Sequence, residues 1–167
     1  LFLKIKFLWK FHQVHHSAEV LTPLSLHRAH PVEIVASSFR NILATSLPVA
    51  VFIFLFESHI SGYDILGVNL FGFIFNLSAS NLRHSQIWLG FGWLEHIFIS
   101  PAQHQMHHSQ KYEYCHSNYG VCLSIWDKAF GTLKLSAKKR DFSFGLPTKV
   151  RNHANKVSSV YFSPFKK

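Results

Sequence analysis

Two long apolar stretches interrupt an otherwise mixed chain. Asn41 to Phe56 reads NILATSLPVAVFIFLF, and Ile65 to Ala79 reads ILGVNLFGFIFNLSA. Each is slightly shorter than the roughly 20 residues that cross a bilayer comfortably. The link from Glu57 to Asp64 carries no Lys or Arg. The pattern predicts a transmembrane helical hairpin. Leu1 to Phe11 alternates apolar and basic residues and ends in Trp9-Lys10-Phe11, which reads as an interfacial anchor. Pro31 fits the first turn of a new helix. Ile87 to Ile99 is aromatic-rich and predicts an interfacial or half-buried helix, and Ser100-Pro101 predicts another helix start. From Phe130-Gly131-Thr132 onward the chain turns polar and basic. The expected division is a membrane domain over residues 1–135 and a basic, loosely structured tail over 136–167.

Composition supports a membrane setting. Of 167 residues, 48% are hydrophobic, 15% are charged and 17 are Phe, which is oily for a soluble domain of this size. The net charge of +9 suits an anionic membrane surface or nucleic acid. No nucleic-acid-binding motif accompanies it, so no nucleic-acid partner is expected. Basic residues sit before the first apolar run (Lys4, Lys6, Lys10, Arg28, Arg40) and after the second (Arg83, Lys111, Lys128, Lys138, Lys139, Arg140). The positive-inside rule places both flanks in the cytosol and the link outside. Cys115 and Cys122 are too few for a disulfide framework and read as reduced thiols. The chain begins at Leu1 rather than Met, so it reads as a fragment. The fold class expected is all-α: an integral membrane helical bundle with cytosolic helices.

The chemistry lies in a repeated pattern, His-x-x-His-His, at His12-His15-His16 and again at His104-His107-His108. On a helix, positions i, i+3 and i+4 share a face, so each copy is expected to aim three imidazoles at one spot. Imidazole is the commonest protein metal ligand. An even number of crossings returns both copies to the cytosolic face, where His84 and His116 also fall. Together these eight histidines can hold two metals with positions left open for oxygen and substrate, as a catalytic site requires. His30 and Asp127, with Glu33, are candidates to orient the ligands from outside. His27, His59, His96 and His153 are not expected to ligate.

Other machinery is missing from the sequence. There is no Gly-rich phosphate loop, no G-x-S-x-G elbow and no H-E-x-x-H. Eight acidic residues are too few for a carboxylate-rich di-iron bundle.

The segments Trp9-Lys10-Phe11-His12-Gln13-Val14-His15-His16, His30-Pro31-Val32-Glu33, Ser100-Pro101-Ala102-Gln103-His104-Gln105-Met106-His107-His108, Asn118-Tyr119-Gly120 and Trp126-Asp127-Lys128-Ala129-Phe130-Gly131-Thr132 occur in that order. In this the chain resembles the fatty acid hydroxylase/sterol desaturase superfamily of membrane oxidoreductases. The resemblance implies two Fe ions, O2 as co-substrate, a lipid substrate that is hydroxylated or desaturated, and an electron donor such as cytochrome b5 or ferredoxin. Zinc can replace iron in purified samples, because it outcompetes Fe(II) in the affinity order. The family carries a further box, H-x-x-x-H, whose second His would fall near Leu3. Neither of its histidines is present, which predicts a truncated member. The alternative is a degenerate, inactive protein that binds metal or scaffolds partners at the membrane; a His-based pH sensor is a third reading. Where some members place another His, this chain has Trp88.

Overall fold

A computed structural model describes residues 5–56, 70–137, 141–146 and 157–165. Among these the chain is helical and contains no strand. Its extended segments meet only in two isolated bridges, Phe98 with Leu123 and Ser109 with Phe144. The all-α class expected from the sequence is the class observed.

Helix α1 (Lys6–His16) carries the first histidine pattern. It buries Phe11, Val14 and His16 on one side and ends where Ser17 Oγ donates to the Val14 carbonyl at 2.7 Å. Helix α2 (Pro31–Phe56) starts ten residues before the apolar run. Proline at its first position needs no N–H partner, and the Val32 N–H is capped by His30 Nδ1 at 3.1 Å. At 26 residues α2 is about 39 Å long, enough to cross a bilayer of about 30 Å. Its Pro31–Leu55 stretch is long and apolar enough for a membrane span and buries none of its most apolar window. Ile34, Leu47 and Phe54 all point outward. In water such a bare apolar surface would be costly; in lipid it matches its solvent.

Helix α3 covers residues 70–83. Its middle, Asn76–Ser80, widens into a π turn before closing at Asn81–Arg83. It is the later part of the second apolar run, and Phe71, Phe73 and Ile74 are exposed on it as α2's side chains are. The link Glu57 to Asp64, and with it the turn of the expected hairpin, lies outside the described residues, as do Leu1 to Lys4.

The helix expected over Ile87 to Ile99 is reduced to one 3-10 turn, Gly92–His96. Gly92 at φ 58° breaks regular winding. Fully buried Glu95 then organises the surrounding loops, accepting from Phe91 N–H, Ser100 Oγ, Ser136 N–H and Ser136 Oγ. Helix α4 (Pro101–His107) starts as its sequence predicts. Gln103 N–H donates to Ser100 Oγ at 3.1 Å and Ser100 N–H to Gln103 Oε1 at 3.0 Å, a reciprocal capping box ahead of Pro101.

Short helices α5 (Tyr112–Cys115) and α6 (Ile125–Ala129) complete the body, and α7 (Val157–Phe162) runs into a 3-10 turn at Ser163–Phe165. The tail expected to be loose over 136–167 therefore carries an ordered helix in its described part. Phe165 packs edge-on against Phe11 at 5.8 Å, and the Tyr161 carbonyl accepts from His30 Nε2 at 3.0 Å.

Candidate metal centre

Seven histidines meet where α1, α4 and the end of α3 pack together. They form two groups: His15, His84, His104 and His108 in one, His12, His16 and His107 in the other. Within each group the ligand nitrogens lie within 4.8 Å of one another. The expectation that each His-x-x-His-His copy serves one spot is corrected here. In both copies the first and third histidines stay together and the middle one, His15 or His107, joins the other copy's pair. Facing helices produce this exchange, because the i+3 side chain is rotated off the i, i+4 row toward its neighbour. The groups adjoin: His16 stacks on His108 with ring centroids 4.4 Å apart, and His16 meets His107 at 4.8 Å.

Hydrogen bonds fix which nitrogen faces inward. His15 Nδ1 donates to the Arg28 carbonyl at 3.2 Å, His84 Nδ1 to the Ser80 carbonyl at 3.2 Å, and His107 Nδ1 to the Ser117 carbonyl at 2.8 Å. His12 Nδ1 meets Glu33 Oε1 at 2.5 Å. A carbonyl only accepts, so His15, His84 and His107 carry their proton on Nδ1 and turn the Nε2 lone pair inward.

Burial, with neighbouring histidines adding to it, keeps these rings neutral. It lowers His15 from 6.5 to about 4, His84 to about 3 and His107 to about 4. His16, His104 and His108 are pushed well below their ordinary value for the same reason. The neutral ring is the form that ligates.

The inward nitrogens lie at ligand spacing from one another. Nε2 of His15 and His84 are 3.1 Å apart, His84 and His104 3.2 Å, His104 and His108 3.1 Å, and His12 and His16 3.2 Å. For His15 and His84, whose protons sit on Nδ1, the facing atoms are two bare lone pairs. Metal–imidazole bonds of about 2.0–2.1 Å separate neighbouring ligand nitrogens by about 3.0–3.4 Å. The spacing and the donor set therefore fit cations in both groups.

The remaining candidates occupy other places. His116 stands apart from both groups, exposed, with its ring against Tyr112 at 4.9 Å. His30 touches none of the seven; it caps α2, whose first turn carries Glu33 to His12. Asp127 is buried and also touches no histidine ring. Its Oδ1 accepts from Tyr119 N–H at 2.7 Å and Thr132 Oγ1 at 2.6 Å, and its Oδ2 from Gly120 N–H at 2.8 Å. It thereby holds the Asn118-Tyr119-Gly120 turn, with Asn118 at φ 54°, and that turn presents the Ser117 carbonyl to His107. The three backbone carbonyls that orient His15, His84 and His107 have no signal in the sequence, since any residue supplies one.

Gly120 reveals how tightly this turn is built. A Cβ there would lie 2.5 Å from the Leu123 carbonyl oxygen and 2.9 Å from Asp127 Oδ2. Gly120→Ala is expected to cost about 2–3 kcal/mol of stability. It should also lower metal retention by disturbing His107. Thermal unfolding with metal analysis checks this, and a wild-type melting point with full metal content would refute it.

Comparisons with known proteins identify the family. The family profile described as fatty acid hydroxylase matches residues 2–132. Human alkylglycerol monooxygenase is 30% identical over 138 residues, 81% of this chain and 27% of its own length. The Danio rerio alkylglycerol monooxygenase matches with the same identity and coverage. Ornithine lipid hydroxylase OlsE of Rhizobium tropici is 27% identical over 148 residues, 86% of this chain and 39% of its length. The chain thus spans between a quarter and two fifths of these relatives. No solved structure matches it.

Proposed function

The chain belongs to the fatty acid hydroxylase family, and on that premise we propose that it is a membrane-bound, O2-dependent hydroxylase of a lipid C–H bond, with two iron ions held by its crossed histidine boxes. The observation that carries this reading is the facing of bare Nε2 lone pairs at 3.1 Å. Seven imidazoles, three of them with the tautomer fixed by a backbone carbonyl, make a nitrogen-rich cradle suited to divalent iron. Iron bound there would supply the activation of O2 and the oxidation of the C–H bond.

The protein's own residues perform the positioning. Arg28, Ser80 and Ser117 carbonyls and Glu33 lock the ring orientations, which sets where a reacting carbon must sit. Burial of the histidines keeps water from the reacting region. His12, His15, His16, His84, His104, His107 and His108 are the ligands in this proposal, and His116 is not. The names of the relatives favour hydroxylation over desaturation. The lipid would arrive from the bilayer along α2 and α3. Electrons would come from a small acidic redox protein, such as a cytochrome b5 or a ferredoxin, attracted by the +9 chain at the cytosolic face.

Two experiments test the proposal. Protein expressed in iron-supplemented cells should contain about two iron atoms per chain and convert an added lipid to a product heavier by one oxygen, with 18O2 supplying that oxygen. Fewer than one metal after Fe(II) reconstitution, or label arriving from water, would count against it. Tags in the Glu57 to Asp64 link should be accessible from the membrane side opposite a tag at the C-terminus. Accessibility from the same side would break the hairpin.

A further inference from the structure

Arg83 is the residue whose surroundings the histidine centre does not explain. It is 6% exposed, and its Nη2 donates to Ser80 Oγ at 2.9 Å. Its Nε has no partner, and among the described residues no carboxylate lies within 4.0 Å of it. A guanidinium offers five donors, and burying it without an anion is unfavourable. The side chain lines a cavity of about 200 Å³ whose other walls are apolar apart from the Cys122 thiol. Phe75, Ala79 and Leu82 lie on the same face of α3 as Arg83, and Phe91, Phe98 and Val121 face them. Of the lining, Phe98 and Val121 are exposed, as is Phe75 on the apolar surface of α3. Next in sequence, His84 turns to the metal centre; Pro101 lines the cavity while His104, on the same helix, faces that centre.

We infer that this cavity seats a membrane amphiphile with an anionic head group, a carboxylate or phosphate held by Arg83, its tail leaving between Phe75 and Val121. A buried cation with no carboxylate beside it among the described residues calls for the head group, apolar walls for the chain, and the exposed apolar rim for entry from the bilayer. Arg83 and Pro101 line the cavity while His84 and His104, on the same two elements, face the metal centre, so a bound amphiphile would be a candidate substrate of that neighbouring centre. To that extent the inference rests on the hydroxylase reading and names its substrate class.

Binding is measured without turnover, so the two readings fail separately. The chain in phosphatidylcholine nanodiscs is titrated with oleate, lysophosphatidate and neutral monoolein. Wild type should bind the two anionic amphiphiles at least about tenfold more tightly than monoolein, the usual worth of a charge-assisted hydrogen bond. Arg83→Gln should remove that preference, Arg83→Lys should keep part of it, and Val121→Trp, which narrows the rim while leaving Arg83 in place, should weaken all three. No preference in wild type, or a preference that survives Arg83→Gln, would overturn the inference. So would inorganic phosphate or acetate competing as well as the amphiphiles, which would assign Arg83 to a free ion.

Discussion

On the two-iron hydroxylase reading, replacing His104 by alanine is expected to abolish lipid oxidation and reduce bound iron from two to about one per chain. His104 is the middle of its group: its Nε2 lies 3.2 Å from that of His84 and 3.1 Å from that of His108. Removing it leaves His15, His84 and His108 around an enlarged space. The other group keeps His12, His16 and His107 intact. Loss of an outer partner alone typically costs 10–100-fold, so loss of a ligand should exceed about a hundredfold in turnover. His116→Ala is the matched control. Its ring packs on Tyr112 at the surface, and its removal should leave iron content and rate unchanged. Iron analysis of both variants decides the matter. Equal losses in the two, or full activity in His104→Ala, would sink the assignment.

Acid should dismantle the centre before it affects the membrane helix. In the folded chain burial holds His15 and His107 at about 4 and His84 at about 3, against an ordinary value of 6.5. Between those values the unfolded chain binds protons that the folded chain refuses, so stability falls as pH falls. The stabilising contribution is complete above about pH 6.5 and drains away on the way down toward about 4. Each such histidine steepens the loss by about 1.4 kcal/mol per pH unit over that window. Protons also compete with metal for the same lone pairs, which adds in the same direction. Circular dichroism melts between about pH 7.5 and about pH 5 should show a falling transition temperature with iron release beginning below about 6.5. A flat or rising melting temperature would contradict the buried, neutral state of these rings.

Much of this was readable in the order of residues. Helical periodicity places three histidines on one side of α1 and three at α4, and Ser100-Pro101-Ala102-Gln103 announces its own helix start. The apolar run marked α2, though the helix begins earlier because His30 and Pro31 supply a cap that hydropathy does not register. Partner exchange between the boxes was not readable, since it depends on how α1 and α4 are rotated against each other. His116 had the right residue type, but the turn after α5 carries it to the surface. Asp127 was marked as an orienting residue, and it acts one step further away than expected, through the backbone of the Asn118-Tyr119-Gly120 turn. The break between Ile87 and Ile99 follows from Glu95, whose demand for four donors outweighs the aromatic pattern around it.

The exchange of middle histidines has a mechanical side. Neither group can be assembled from one stretch of chain, because each draws ligands from both α1 and α4. A cation in either place therefore ties the beginning of the chain to a segment far along it, as a removable cross-link would. Two such ties side by side resist twisting as well as separation, so α1 and α4 behave as one hinge-free block when loaded. Apo protein should lose that lock while keeping its long apolar helix, so the placement of α1 against α4 would depend on metal supply.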